Sequence, residues 1–193
     1  MAVVPITLRW VDQVVLEFFV EHRVGMLTEF LAVLSELTRP RYLCIYAVVI
    51  SSIAAWRKKP AAWGMATSVI LAGIFNTVIK EFVERPRPPI SVRAVVETSS
   101  AMPSGHTMVI FAAATSLTVV FGGRRLWSVW LLAVLVAAAR LYLGVHWFSD
   151  VVVGAVLGCA TALVVWWVTY RMTRLEPAAD TRAAESTRER GAV

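Results

Sequence analysis

Apolar residues in this chain come in long unbroken blocks divided by short polar punctuation, not in the two-residue alternation of half-buried strands. The blocks run Tyr42 to Trp56, Ala61 to Val83, Gly105 to Phe121, Leu126 to Gly144 and Val151 to Tyr170, each bounded by charges, Gly or Pro. A helix satisfies its own backbone polar groups and crosses the hydrocarbon of a bilayer with about 20 apolar residues. The pattern therefore predicts five spanning helices, of which the first is the shortest. Upstream, Trp10 to Leu37 mixes Val, Leu and Phe with Asp12, Glu17, Glu21, Arg23 and Glu29, too many charges for a lipid-facing span. An amphipathic helix at the interface followed by a short or re-entrant one is expected there, with a sixth span left open. Beyond Arg171 the sequence is rich in Ala, Arg, Glu and Thr with no apolar face, the pattern of a solvated or disordered end. The expected fold class is all-α, a polytopic transmembrane bundle of five or six spans. Its parts are an interfacial segment (1–41), the bundle (42–170) and a disordered cytoplasmic tail (171–193).

Composition agrees with a bilayer as solvent: 58% of residues are hydrophobic and 17% charged, and the mean hydropathy is +0.68, more than a soluble core of this size needs. The net charge of +6 does not point to nucleic acid, because the basic residues are scattered among apolar segments instead of forming a stripe. Cys44 and Cys159 lie far apart inside apolar blocks and read as small buried hydrophobes. The opening residues lack the pattern of a removable secretory signal. If the five spans alternate, Arg57-Lys58-Lys59, Arg124-Arg125 and the tail from Arg171 fall on one side, which the excess of basic residues makes cytoplasmic. A multi-pass cell-membrane protein is expected, with the loops holding Glu84 to Pro103 and His146 facing outward.

Three polar clusters fall on that outer face. In the first, Lys80 and Arg87 stand seven residues apart, nearly two helical turns, and project to one side if helix persists between them. A point charge and a planar fork together suit a phosphate with several oxygens, although snorkelling interfacial cations would look the same. The second is Pro103-Ser104-Gly105-His106 at the head of an apolar block. Free N–H groups and a positive dipole end make a helix N-terminus an anion cradle, Gly105 admits an anion closely, and Ser104 adds a hydroxyl. An ordinary cap with Ser104 as N-cap is the alternative, and His106 could protonate a leaving group from there. In the third, His146 and Asp150 share a helix face if the last span begins near His146. The carboxylate would then take the Nδ1 proton and leave Nε2 free to attack, or form a purely structural bond. Arg140 adds a second fork. Two of the three histidines in the chain sit in these clusters.

These residues resemble the motifs of the type 2 phosphatidic acid phosphatases, whose site is in turn similar to that of vanadium-dependent haloperoxidases. The family pattern is Lys-x6-Arg-Pro, Pro-Ser-Gly-His, then Ser-Arg-x5-His-x3-Asp. It is matched here at Lys80, Arg87 and Pro88, at Pro103 to His106, and at Arg140, His146 and Asp150. Ala139 stands where the family usually has Ser. The resemblance covers roughly Asn76 to Gly158, not the N-terminal segment or the tail. It implies a metal-independent lipid phosphatase without cofactors. His146 would attack phosphorus to give a phosphohistidine, and His106 would protonate the departing oxygen. Lys80, Arg87, Arg140 and the Ser104 and Gly105 amides would hold the phosphoryl oxygens. The implied partners are a lipid phosphate substrate and membrane lipids. A polyprenyl phosphate or diphosphate is favoured by the small size, with phosphatidate or phosphatidylglycerol phosphate as alternatives.

Two other classes compete. An intramembrane serine protease could be built from Ser104 and His146, but leaves three cations unexplained. A transporter or scaffold with a basic mouth leaves the His and Asp pair unexplained. Gly154-x3-Gly158 reads as helix packing, with a homodimer as the alternative. Several of the eight Trp suit an interfacial belt. Trp147 beside His146 is placed to touch a lipid chain, and Arg93 and Glu97 to select a headgroup.

Overall fold

The computed structural model describes residues 6–57, 62–122 and 126–190, with side chains from Thr7 to Arg171 within those ranges. Among the described residues every regular element is helical: α1 (Ile6–Glu21), α2 (Gly25–Leu37), α3 (Pro40–Trp56), α4 (Trp63–Val83), α5 (Gly105–Phe121), α6 (Trp127–Tyr142) and α7 (Phe148–Arg190), with a short 3-10 turn at Ile90–Val92. The five apolar blocks appear as α3 to α7 within a few residues of their expected limits, except that α7 runs on past Tyr170 to Arg190. Two helices, Trp63–Val83 and Phe148–Arg171, are long and apolar enough to cross a membrane, while α3, α5 and α6 are shorter apolar helices.

Local chemistry sets the breaks. Pro40 opens α3, and the extended conformation it favours at Arg39 (φ −55°, ψ 142°) separates α3 from α2. Helix α4 stops at Glu84, which adopts the left-handed conformation (φ 44°) and donates its N–H to the Lys80 carbonyl at 3.1 Å; Pro86 follows and cannot continue the helix. Lys80 and Arg87 are therefore not joined by continuous helix, as the seven-residue spacing had suggested. Lys80 sits on the last turn of α4 and Arg87 in the loop beyond it.

The buried centre is α5, in which every residue from Gly105 to Ile110 is buried. Met108, Val109 and Ala112 pack with Met65, Val69 and Val136 from α4 and α6. Helix α7 reaches α5 through glycine. A Cβ on Gly154 would stand 2.8 Å from the Ser104 carbonyl oxygen, and one on Gly158 would collide with the Met108 carbonyl. Both glycines thus serve close approach between helices of one chain. Outward-facing Ile53, Ile74, Leu131, Val134, Val156 and Val164 are exposed, an apolar exterior of a kind that water does not favour.

Two expectations need correction. Asp12, counted among the charges of an interfacial amphipathic helix, is 2% exposed, because α1 turns it inward against Arg85 at 2.6 Å. The backbone from Arg171 to Arg190 continues α7 where a disordered tail was expected; its many Ala, Arg and Glu are good helix formers. The basic pairs Lys58-Lys59 and Arg124-Arg125 lie outside the described residues.

Candidate active site

Six of the eight residues singled out in sequence line one cavity of about 610 Å³: Lys80, Arg87, Gly105, His106, Arg140 and His146. They arrive from four places, namely the end of α4 with its following loop, the head of α5, the end of α6 and the turn before α7. Ser104 and Asp150 lie behind the cavity wall.

Hydrogen bonding defines the state of each histidine. Arg87 Nη1 is 3.3 Å from His146 Nε2, and guanidinium only donates, so Nε2 carries the lone pair and Nδ1 the proton. Burial first, then the positive charges of Arg140, Arg87 and Lys80, hold the His146 imidazole well below its ordinary pKa, which keeps the ring neutral. For His106 the reverse tautomer holds: Nε2 is 3.0 Å from the Ser35 carbonyl oxygen, an acceptor, so Nε2 carries the proton and Nδ1 does not. The two rings therefore offer different nitrogens for chemistry.

The cations are held in place. Lys80 Nζ donates to Ser99 Oγ at 3.0 Å, Arg87 donates to the Val145 carbonyl at 2.7 Å and from Nε to the Ser99 carbonyl at 2.6 Å. Arg140 is 1% exposed; it donates to Ser35 Oγ and pairs with Glu97 at 2.6 Å, while its Nε has no partner among the described residues. Burial lowers the Arg87 pKa to about 10, opposed by Glu97, and leaves it charged at neutral pH. Burial pushes the Glu97 carboxyl up, but the nearby Arg140 and Arg87 outweigh it and hold the group below its usual value. Glu97 thus occupies the arginines with its own oxygens, and a phosphate entering the cavity would compete with it. Arg93 instead braces the loop, donating to the Pro88 carbonyl at 2.7 Å.

At the head of α5, Gly105 leaves room that a Cβ would fill, at 2.9 Å from Asn76 Oδ1. Asn76 Nδ2 fixes the turn by donating to the Pro103 carbonyl at 2.9 Å. The Ser104 amide donates to the Asp150 carbonyl at 3.0 Å and its hydroxyl accepts from Thr107 at 3.0 Å. Its N–H is therefore spent inside the protein, leaving the amides from Gly105 onward as the unpaired donors of the first helical turn. Ser104, 0% exposed, is likewise out of reach as the nucleophile of a serine protease.

Asp150 Oδ2 accepts the Trp147 N–H at 2.9 Å, the backward half of a capping box at the start of α7. Its Oδ1 accepts from Arg85 at 2.5 Å. Trp147, expected near lipid, donates its Nε1 to the Pro86 carbonyl at 2.9 Å. Ala139 is fully buried and packs with Leu31, Leu143 and Val145. Sequence reasoning missed Ser35, Asn76, Arg85 and Ser99. Asn76 carried a signal, as a polar residue within an apolar block; Ser35 carried none.

Residues 61–174, more than half of the chain, match the PAP2 superfamily. The chain belongs to the PAP2 superfamily. Among PAP2 relatives, the lipid phosphate phosphatase gamma of Arabidopsis thaliana is 30% identical over 112 residues, 52% of this chain and 50% of that protein. The undecaprenyl-diphosphatase of Sulfolobus acidocaldarius is 29% identical over 103 residues, 53% of this chain and 42% of its own length. The chain thus spans about half the length of these curated relatives. The crystal structure of a transmembrane PAP2 type phosphatidylglycerolphosphate phosphatase from Bacillus subtilis superposes with a TM-score of 0.75 at 26% identity, covering 86% of this chain and 88% of that one. Asp12 and Ser35 lie outside the segment matched to the superfamily.

Proposed function

We propose that this chain is an integral membrane phosphatase that hydrolyses the phosphomonoester or diphosphate of a lipid. The observation that carries the reading is the convergence of Lys80, Arg87, Arg140 and two histidines of opposite tautomer on one cavity. His146 Nε2 attacks phosphorus and the bond to the leaving oxygen breaks. His106, whose Nδ1 is unprotonated in the resting site, takes a proton from the entering protonated phosphate and passes it from Nδ1 to that oxygen, because Nε2–H stays on the Ser35 carbonyl. Water, deprotonated by His106 Nδ1, then attacks phosphorus and returns the electron pair to His146 Nε2, and the proton leaves His106 with the released phosphate. The three cations and the amide of Gly105 offset the charge on the phosphoryl oxygens through both steps.

Helices α3 to α7 cross the bilayer in this reading, and α1 and α2 lie at the face that holds the site. The exposed apolar exterior supports this, and the exposed Arg57 at the opposite end supports an extracytoplasmic site in the cell membrane. A polyprenyl phosphate or diphosphate is the favoured substrate, in keeping with the undecaprenyl-diphosphatase relative. Phosphatidylglycerol phosphate follows, in keeping with the crystallised relative. The test is phosphate release by the detergent-purified full chain across polyprenyl diphosphate, phosphatidylglycerol phosphate and phosphatidate. Release from at least one, abolished in His146→Ala, is expected; release from none contradicts the reading.

A further inference from the structure

Behind His146 lies a second polar cluster that the reaction as written does not use. Arg85, 10% exposed at its side chain, bridges two carboxylates: Nη1 to Asp150 Oδ1 at 2.5 Å and Nη2 to Asp12 Oδ2 at 2.6 Å. Ser149 completes the lattice, its N–H donating to Asp12 Oδ1 at 2.8 Å and its hydroxyl to Asp12 Oδ2 at 2.8 Å. Arg85 also donates to Ser149 Oγ at 2.7 Å, and its guanidinium lies 5.8 Å from the centre of the Trp147 ring. Asp12 and Asp150 are 2% and 0% exposed, so solvent does little to screen these charges from one another.

We infer that Asp12, carried on the N-terminal helix, and Arg85 are positioning residues that set the charge His146 meets in the reaction. The inference rests on the lipid phosphatase reading and deepens it. His146 becomes cationic when Nε2 takes the phosphoryl group while Nδ1 keeps its proton. The cavity side presents Arg87, Arg140 and Lys80 against the single carboxylate of Glu97, a net positive charge, so the negative charge of Asp150 behind the ring is what favours that cation. Arg85 alone would neutralise Asp150. With Asp12 the cluster carries two carboxylates against one guanidinium, and one negative charge is left beside the ring. Arg85 holds the Asp150 carboxylate in place, and Asp12 keeps that hold from neutralising it.

The charge account makes a prediction that a merely structural role does not. Asp12→Asn leaves Arg85 cancelling Asp150, whereas Asp12→Asn with Arg85→Gln restores one net negative charge. In the full chain in detergent, phosphoenzyme formation from labelled substrate is followed in a single turnover, beside kcat, KM and thermal unfolding. Asp12→Asn should slow phosphoenzyme formation by about 10- to 100-fold with KM changed less than about threefold. The double variant should recover at least about fivefold of that loss, a coupling of opposite sign to simple damage. A folded double variant as slow as Asp12→Asn or slower, or an Asp12→Asn as fast as wild type, overturns the inference. Should Asp12→Asn unfold, the double variant against wild type decides: a loss under about tenfold supports the account and one above about 100-fold in a folded protein overturns it. Wild type forming no phosphoenzyme would instead contradict the phosphatase reading itself.

Discussion

His146 Nδ1 and Asp150 Oδ2 stand 3.6 Å apart, beyond a hydrogen bond, and the buried Nδ1 has no other partner among the described residues. The carboxylate is held back by the Trp147 N–H and by Arg85. In the proposed reaction the carboxylate orients the ring by charge and closes on it when the imidazole becomes cationic.

Asp150 therefore has two tasks that substitution separates. Asparagine keeps an acceptor for the Trp147 N–H but loses the charge. Asp150→Asn should lower kcat by about 100- to 10,000-fold with the helical circular dichroism unchanged, whereas Asp150→Ala should in addition lose about 1 kcal/mol of stability through the cap. Equal activity in Asp150→Asn and wild type would contradict the role. The measurement is steady-state phosphate release paired with thermal melts.

Much of this was legible beforehand. Long apolar blocks announce helices through the cost of unpaired backbone in lipid, so α3 to α7 followed from the blocks. Motif spacing named six residues that line the cavity, because Lys80, Gly105 and Arg140 sit at helix ends whose register is set locally. The condition set for Lys80 and Arg87, helix persisting between them, is not met, since the left-handed cap at Glu84 is set by its context, where no glycine marks it. Ser35 and Asp12 were illegible as site neighbours: each acts across more than 70 residues of sequence, at His106 and Arg85, and nothing local marks a serine or aspartate as inward-facing.

Packing gives a second prediction. A side chain at Gly158 would meet the Met108 carbonyl and force α7 off α5. Gly158→Val should destabilise by about 1–3 kcal/mol and lower activity by moving Asp150 away from the head of α5. Thermal unfolding in detergent reads the first effect; an unchanged midpoint would mean that the helices are not in contact there.

The depressed pKa of His146 links stability to pH. The unfolded chain binds a proton near the ordinary value of 6.5 and the folded one only well below it, so stability is fully present above pH 6.5 and falls as pH drops beneath it. His146→Asn should flatten that slope. Unfolding midpoints at pH 7.5 and 5.5 for both proteins give the comparison, and identical slopes would contradict a neutral buried imidazole.

Sidedness is tested at Val96, which is 86% exposed in the loop beside the site. Val96→Cys, in a background with Cys44 and Cys159 replaced by Ala, should react with a membrane-impermeant thiol reagent on intact cells. Labelling only after lysis would place the site in the cytoplasm.

The central claim is that His146 takes the phosphoryl group, and trapping that intermediate tests it most directly. Wild-type chain quenched during turnover of a phosphate-labelled lipid should carry acid-labile label on His146, and His146→Ala should carry none while remaining folded. Normal labelling of His146→Ala would move the nucleophile elsewhere and contradict the account.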